Sequence, residues 1–248
     1  MEFSKTYPVL WHDTDPNRVI RPGRLLSYMQ ETANAHLASI GLTLDDLRDR
    51  RGLAYILSSI STCIYEKLYA GDQIEVQTWM SEGRGLRHNR CFRVLRGKET
   101  VAEAVSVWAL VDLREKRLLK TEESPYPAEL YAAPKLPIPQ RIHLPLTEEM
   151  PLVGTRRICY SDIDYNGHMN NTRYPDLLCD FSPDILTRRV SGFAISFLHE
   201  ATYGHVLQMH RIEENGNYLF RALDADGTHC MDAVLYTEED RTLQPKER

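Results

Sequence analysis

One polar block occurs twice in this chain, and that repeat limits what it can fold into. Trp11-His12-Asp13-Thr14-Asp15-Pro16-Asn17-Arg18-Val19 is matched by Tyr160-Ser161-Asp162-Ile163-Asp164-Tyr165-Asn166-Gly167-His168. Asp13, Asp15 and Asn17 meet Asp162, Asp164 and Asn166 at one constant offset. A second pair follows in the same order: Tyr65-Glu66-Lys67-Leu68-Tyr69-Ala70-Gly71 is similar to His199-Glu200-Ala201-Thr202-Tyr203-Gly204. Two matched blocks in one order point to duplication, so the chain reads as two equivalent halves. Between them Pro125, Pro127, Pro134, Pro137 and Pro139 fall in one short window. Proline removes a backbone donor and restricts its predecessor, so regular structure should lapse there. The expected division is a first half over 1–120, a proline-rich connector over 121–150 and a second half over 151–248.

Each half shows the same order of elements: the Asp/Asn block, a helix, then strands. Leu26, Met29, Ala33, Leu37 and Ile40 follow helical spacing. Pro22 suits the first turn of that helix and Gly41 the residue past its end. A helix of about 19 residues would run about 28 Å, enough to lie along a whole sheet. Residues 55–65 are rich in β-branched and aromatic side chains, and 74–79 alternate with period two. Strands are also expected at 91–95 and 101–113, around the Gly97-Lys98 turn. In the second half 193–202 reads as a strand. Asn215-Gly216 and Asp226-Gly227 read as hairpin turns joining strands near 206–212, 218–223 and 230–236. The plan is α+β, one helix and one antiparallel sheet per half.

The densest polar stretch, 162–171, should hand over to the second helix, with Asn170 or Asn171 as its cap. That sets Asn166 and His168 beside a helix N-terminus, where unpaired N–H groups and the dipole favour a developing oxyanion. Asp, Asn and Gly are also ordinary turn residues. The asymmetry between the copies is what points to chemistry: Val19 stands where the second copy has His168. One active site per chain, in the second half, is the expectation.

Asp164-Tyr165-Asn166-Gly167-His168-Met169-Asn170-Asn171-Thr172-Arg173-Tyr174 resembles the D-x-N-x-H-x-N-N-x-x-Y signature of the fatty acyl–acyl carrier protein thioesterases. Gln30-Glu31-Thr32-Ala33 is similar to that family's Q-E-x-A helix. Gly71-Asp72-Gln73-Ile74-Glu75-Val76-Gln77-Thr78-Trp79 is similar to its G-D-x-I-x-V-x-T-W strand. The chain thus resembles a bacterial relative of the plant enzymes, over nearly its whole length. The resemblance implies a double hotdog, each half a sheet wrapped around a long helix. It implies hydrolysis of the thioester on the carrier's phosphopantetheine arm, which ends fatty acid synthesis. It places the catalytic set on Asp164, Asn166, His168 and Glu200. The family often has Cys after this Glu, and here Ala201 follows, so no thiolate can be required at that position. It also suggests Leu26, Met29, Ala33, Tyr55 and Leu57 as lining for an acyl tunnel. The acidic carrier protein calls for a basic patch: Arg48, Arg50 and Arg51; Arg84, Arg87 and Arg90; or Arg188-Arg189.

By residue type, Glu200, or Asp164 acting with His168, can take the proton of an attacking water. The Asn166 amide can stabilise the oxyanion, and His168 can protonate the leaving thiolate. Sequence leaves open which carboxylate is the base. A coenzyme A thioesterase on the same fold and a catalytically inactive acyl-binding module are the alternatives. A hotdog dehydratase is disfavoured, because three residues rather than four separate Asp164 from His168 and none is proline. His199-Glu200 begins no H-E-x-x-H, and no cofactor or metal is expected.

Composition bounds the partners. A net charge of −5 disfavours nucleic acid, which wants a basic surface. Apolar runs fall far short of the ~20 residues of a membrane span, and the residues after Met1 lead into no signal-like apolar stretch. Five irregularly spaced cysteines read as reduced thiols, mostly core filler, in a cytoplasmic protein. Two fused halves allow a monomer or a homodimer.

Overall fold

The structure is a computed structural model and describes residues 2–131 and 133–240. Residues 241–248, assigned above to the second half, lie outside the described residues. The first half runs β1 (Phe3–Pro8), α1 (Pro22–Ser39), β2 (Leu53–Ile64), β3 (Gln73–Arg84), β4 (Arg87–Arg96), β5 (Glu99–Asp112) and the short β6 (Arg117–Leu119). The second runs β7 (Leu152–Arg157), α2 (Tyr174–Asp180), β8 (Arg188–Phe197), β9 (Val206–Glu214), β10 (Asn217–Leu223) and β11 (His229–Glu239).

The strands form one antiparallel sheet in the order β1-β3-β4-β5-β2-β8-β11-β10-β9-β7, with β6 on β5. Read from either end, the order is the same set of equivalent strands, so the halves are related by a pseudo-twofold axis. The axis falls at the β2–β8 seam, where Ser59 faces Ser196 and Cys63 faces Gly192. Local chemistry explains the turns. Asn215 and Gly216 both have positive φ (51° and 77°), the type I′ geometry that suits a two-residue hairpin.

α1 starts at Pro22, and Gly41 lies just past its end at φ 74°. Its inner face buries Leu25, Leu26, Met29, Ala33 and Leu37 against the sheet. α2 is shorter, seven residues. Pro183 cannot extend it, and Ser182 Oγ donates to the Leu178 carbonyl at 2.8 Å. The two helix starts meet near the axis, where Gly23 N donates to Asp176 Oδ1 at 2.8 Å. A Cβ at Gly23 would collide with the Thr172 carbonyl, so the approach needs glycine.

The proline-rich connector starts on the helix side, where Tyr126 and Leu130 pack with Leu37 and Met80, and then runs as a strap on the sheet's outer face. Trp79 Nε1 donates to the Pro134 carbonyl at 3.0 Å. Leu136 and Ile138 pack with Trp79, Cys91 and Val105, and Ile142 and Leu144 pack with Met150, Leu219 and Val234. Proline denies this segment a ladder, so buried side chains hold it instead. Cys91 and Cys230 are buried and Cys63 and Cys179 half-buried, but Cys159 is exposed and fills no core.

The seam supplies a test. A Cβ on Gly192 would strike the Thr62 carbonyl oxygen across β2. Gly192→Val should therefore lower stability by about 1–3 kcal/mol, the usual cost of overpacking. Denaturant unfolding reads it, and an unchanged midpoint would show that the seam does not need this space.

Candidate active site

The second polar block folds into a closed loop. The buried Asp162 carboxylate accepts from Cys159 N at 2.8 Å and from Arg156 Nη2 at 2.8 and 3.0 Å. Asp164 N donates to the His168 carbonyl at 3.1 Å, and Gly167 takes φ 85° between them. Asp164 Oδ1 accepts from Asn166 N at 2.8 Å, an Asx turn. Met169 N donates to the Ala201 carbonyl at 2.7 Å, and His168 bridges to Thr202, so the loop is pinned to the segment after β8.

The first copy has the same skeleton. Asp13 accepts from Leu10 N, Asp15 Oδ1 accepts from Asn17 N at 2.8 Å, and Ile20 N donates to the Leu68 carbonyl. These bonds fix the register of the second repeated block, whose two copies differ in length by one residue. Leu68 takes the place of Ala201, so Lys67, not Glu66, is the counterpart of Glu200. Gly71 N to Val9 O and Gly204 N to Ile158 O give the same register. The first copy thus carries Val19 and Lys67 where the second carries His168 and Glu200.

The His168 ring lies between two carboxylates. Its Nδ1 is 3.9 Å from Asp164 Oδ1, and its Nε2 is 3.9 Å from Glu200 Oε1. Both separations exceed a hydrogen bond, as is common before substrate tightens a site. The Asp164 side chain is 14% exposed and the Glu200 side chain 63%, so Glu200 is the carboxylate open to solvent. Asn166 is exposed beside them, and its Oδ1 accepts from Arg48 Nη1 at 3.0 Å. All four expected catalytic residues therefore line one neighbourhood, and the first half adds Arg48 to it.

Two expectations need correction. The strand expected over 193–202 stops at Phe197. Leu198 N and His199 N both donate to the Cys230 carbonyl, which ends the ladder, so Glu200 sits on the loop beyond and turns toward His168. The helix mouth offers fewer free donors than expected. Asn170 Oδ1 takes Thr172 N at 2.9 Å, and the Asn170 carbonyl takes Arg173 N at 2.9 Å. The cap uses its own amides, which leaves the Asn166 side-chain amide as the nearby donor.

Leu26, Met29 and Ala33 belong to the main core cluster, and Leu57 is buried on β2. Tyr55 packs instead on a smaller cluster of Leu37, Leu42, Leu47, Met80, Tyr126 and Leu130. A cleft of about 400 Å³ reaches Asp164, Ser27 and Glu31, and one of about 300 Å³ reaches Ala38, Leu44 and Tyr165. None of the five expected tunnel residues lines either cleft. Of the basic candidates, Arg48, Arg51, Arg84 and Arg87 are exposed, and Arg50 pairs with Asp46 at 2.9 Å. Arg188 is tied to Thr237 and Gly216, and Arg189 to Ile64, Tyr65 and Glu238, so both clamp the fold. Arg90 is no surface residue at all: it is 6% exposed. Period-two alternation along β4, His88-Arg90-Phe92-Val94, is the signal that turns it inward.

Comparison with known proteins agrees with this geometry. Residues 1–126 match the model of the acyl-ACP thioesterase N-terminal domain, and residues 151–236 that of the C-terminal domain. The chain is 25% identical over 224 residues to a chloroplastic dodecanoyl-[acyl-carrier-protein] hydrolase of Cinnamomum camphora, covering 83% of this chain and 58% of that protein. It is 24% identical over 225 residues to a chloroplastic palmitoyl-acyl carrier protein thioesterase of Arabidopsis thaliana, covering 83% and 54%. The chain spans about half the length of the curated relatives it matches. An acyl-ACP thioesterase from Bacteroides thetaiotaomicron superposes with TM-score 0.86 at 23% identity, over 96% of this chain and 98% of that one. The 12:0-ACP thioesterase of Umbellularia californica gives 0.82 at 18%, over 96% and 98%. These structures share the double hotdog fold.

The two aspartates of the loop should separate in stability. Asp162→Asn leaves Arg156 without its carboxylate partner and should cost about 1–3 kcal/mol. Asp164→Asn keeps an acceptor for Asn166 N and should cost less than half as much. Equal losses in denaturant unfolding would show that Asp164 is a structural residue too.

Proposed function

The chain belongs to the acyl-ACP thioesterase family, and from that premise we propose that it hydrolyses fatty acyl–acyl carrier protein to free fatty acid and carrier. The observation that carries the proposal is the His168 ring lying between Asp164 and Glu200, 3.9 Å from each, beside the Asn166 amide. Asp164 orients the ring from its Nδ1 side. Glu200, the exposed carboxylate, accepts the proton of the water whose oxygen attacks the thioester carbonyl. The Asn166 side-chain N–H donates to the oxyanion, its Oδ1 being held by Arg48. The C–S bond then breaks, and the pantetheine thiolate takes a proton from the site through His168. Net, one water adds across the thioester, giving acid and thiol.

Arg48, which reaches Asn166, and Arg51 are exposed and offer positive charge to the carrier's acidic surface. Five unpaired cysteines fit a reducing compartment such as the cytoplasm.

The test is thiol release, followed with a coloured-thiol reagent, from acyl-carrier and acyl-coenzyme A substrates. The carrier-bound form should be the better substrate. His168→Ala and Glu200→Ala should each lower kcat by about 10²–10⁴-fold with little change in KM. Near-full turnover in both variants would end this mechanism. Acyl-carrier bound without release of thiol would mark an acyl-binding module instead.

A further inference from the structure

Beneath α1 the first half holds a polar group that an all-hydrocarbon substrate does not explain. Arg90 Nη1 donates to His36 Nδ1 at 3.1 Å and to Thr78 Oγ1 at 3.2 Å. Among the described residues Arg90 has no carboxylate partner; the ionisable groups around it are the phenols of Tyr55, Tyr126 and Tyr131 and the Cys91 thiol, all kept neutral by burial. A guanidinium taken out of water without a counterion is costly. Because His36 Nδ1 accepts from Arg90, its Nε2 carries the hydrogen, and that N–H is buried without a partner among the described residues. Burial and the Arg90 charge push His36 down to about 4, so the ring stays neutral. Tyr126 Oη is also buried without a partner among the described residues. His36 is 1% exposed and Tyr126 6%. Three donor side chains thus lie in one buried region, and among the described residues no carboxylate faces them.

The cluster connects to the candidate active site. The smaller apolar cluster of Leu37, Leu42, Leu47, Met80, Tyr126 and Leu130 lies against it. Leu47 precedes Arg48, which holds Asn166. Leu44 packs on the same apolar cluster and also lines the cleft of about 300 Å³ that Tyr165 borders, next to Asn166. Apolar side chains therefore link the cleft beside Tyr165 to the region of the donors. Tyr126 and Leu130 come from the strap, not from the sheet, and the strap meets β3 nearby through a bridge between Ala133 and Ser81.

We propose that Arg90, His36 and Tyr126 receive an oxygen function carried by the acyl chain beyond its thioester, with a terminal carboxylate the best match. A carboxylate accepts from the guanidinium and balances its charge, and it takes the His36 N–H and Tyr126 O–H in the same act. A hydroxyl satisfies the donors but not the charge. A methyl end satisfies neither. The inference rests on the hydrolase reading above and names the substrate class of that same site.

The experiment compares acyl-carrier substrates of one chain length ending in methyl, hydroxyl or carboxyl. kcat/KM should rise at least tenfold from methyl to carboxyl, with hydroxyl between. In Arg90→Met the carboxyl-to-methyl ratio should fall to about one. Tyr126→Phe conserves volume and should lower the ratio several-fold, which decides the matter should Arg90→Met fail to fold. A binding arm works without turnover: the monomethyl ester of an α,ω-dicarboxylic acid should raise the thermal midpoint, and the plain fatty methyl ester of equal length should not. Equal ratios together with equal thermal shifts would overturn the inference while leaving the hydrolase reading intact. Absence of hydrolysis from all three substrates would defeat the hydrolase reading, and the ester pair would still decide the donor cluster.

Discussion

The antiparallel pairing of β2 with β8 is the constraint on which the rest of the molecule depends. It makes one sheet of two halves and fixes their relative orientation to the register of Ser59 with Ser196. From that register the starts of the two helices meet at Gly23 and Asp176. From it, too, Arg48 of the first half reaches Asn166 of the second. Without the seam each half would still have a helix on a sheet, but the site would lose the side chain that orients its amide. Gly192 marks how closely the two strands approach there, and the strap adds a second tie across the outer face.

Duplication gave the molecule two copies of one loop, and the structure shows how little must change to put chemistry on one of them. Both loops are closed by a buried aspartate, an Asx turn and a backbone bond to the segment after a strand. Those bonds are made by the backbone and by Asp side chains that both copies keep. The difference lies in two side chains that the skeleton does not use, His168 for Val19 and Glu200 for Lys67. Lys67 instead pairs with Asp240. Asp164 closes the turn and also lies against the His168 ring, so the two copies differ at the candidate site by two side chains set on a skeleton both keep.

Much of this was legible before any coordinates. Pro22 and Gly41 bracket α1 because the first suits an N-terminal turn and the second a positive φ. Asn215-Gly216 closes its hairpin for the same kind of reason. The four candidate catalytic residues stood out by motif, and the structure brings them together. What escaped the sequence were facts set by long-range contacts. The two copies of the second repeated block differ in length by one residue, which left their register open, and backbone bonds to Val9 and Ile158 set Lys67 opposite Glu200. The end of β8 depends on the Cys230 carbonyl, thirty-odd residues distant, which no local propensity reports. Arg90 looked like part of a surface cluster because Arg84 and Arg87 are near it in sequence, but strand alternation sends it inward. The connector's prolines announced an absence of ladder and were silent about the side chains that bury it.

The central claim is that His168 and Glu200 act as one unit. A double-mutant cycle on kcat for acyl-carrier hydrolysis tests it most directly, with His168→Ala, Glu200→Ala and the pair in one chain. The account predicts strong non-additivity, the double variant being no slower than the worse single by more than about threefold. Losses that multiply across the cycle would show two groups working independently and would contradict it.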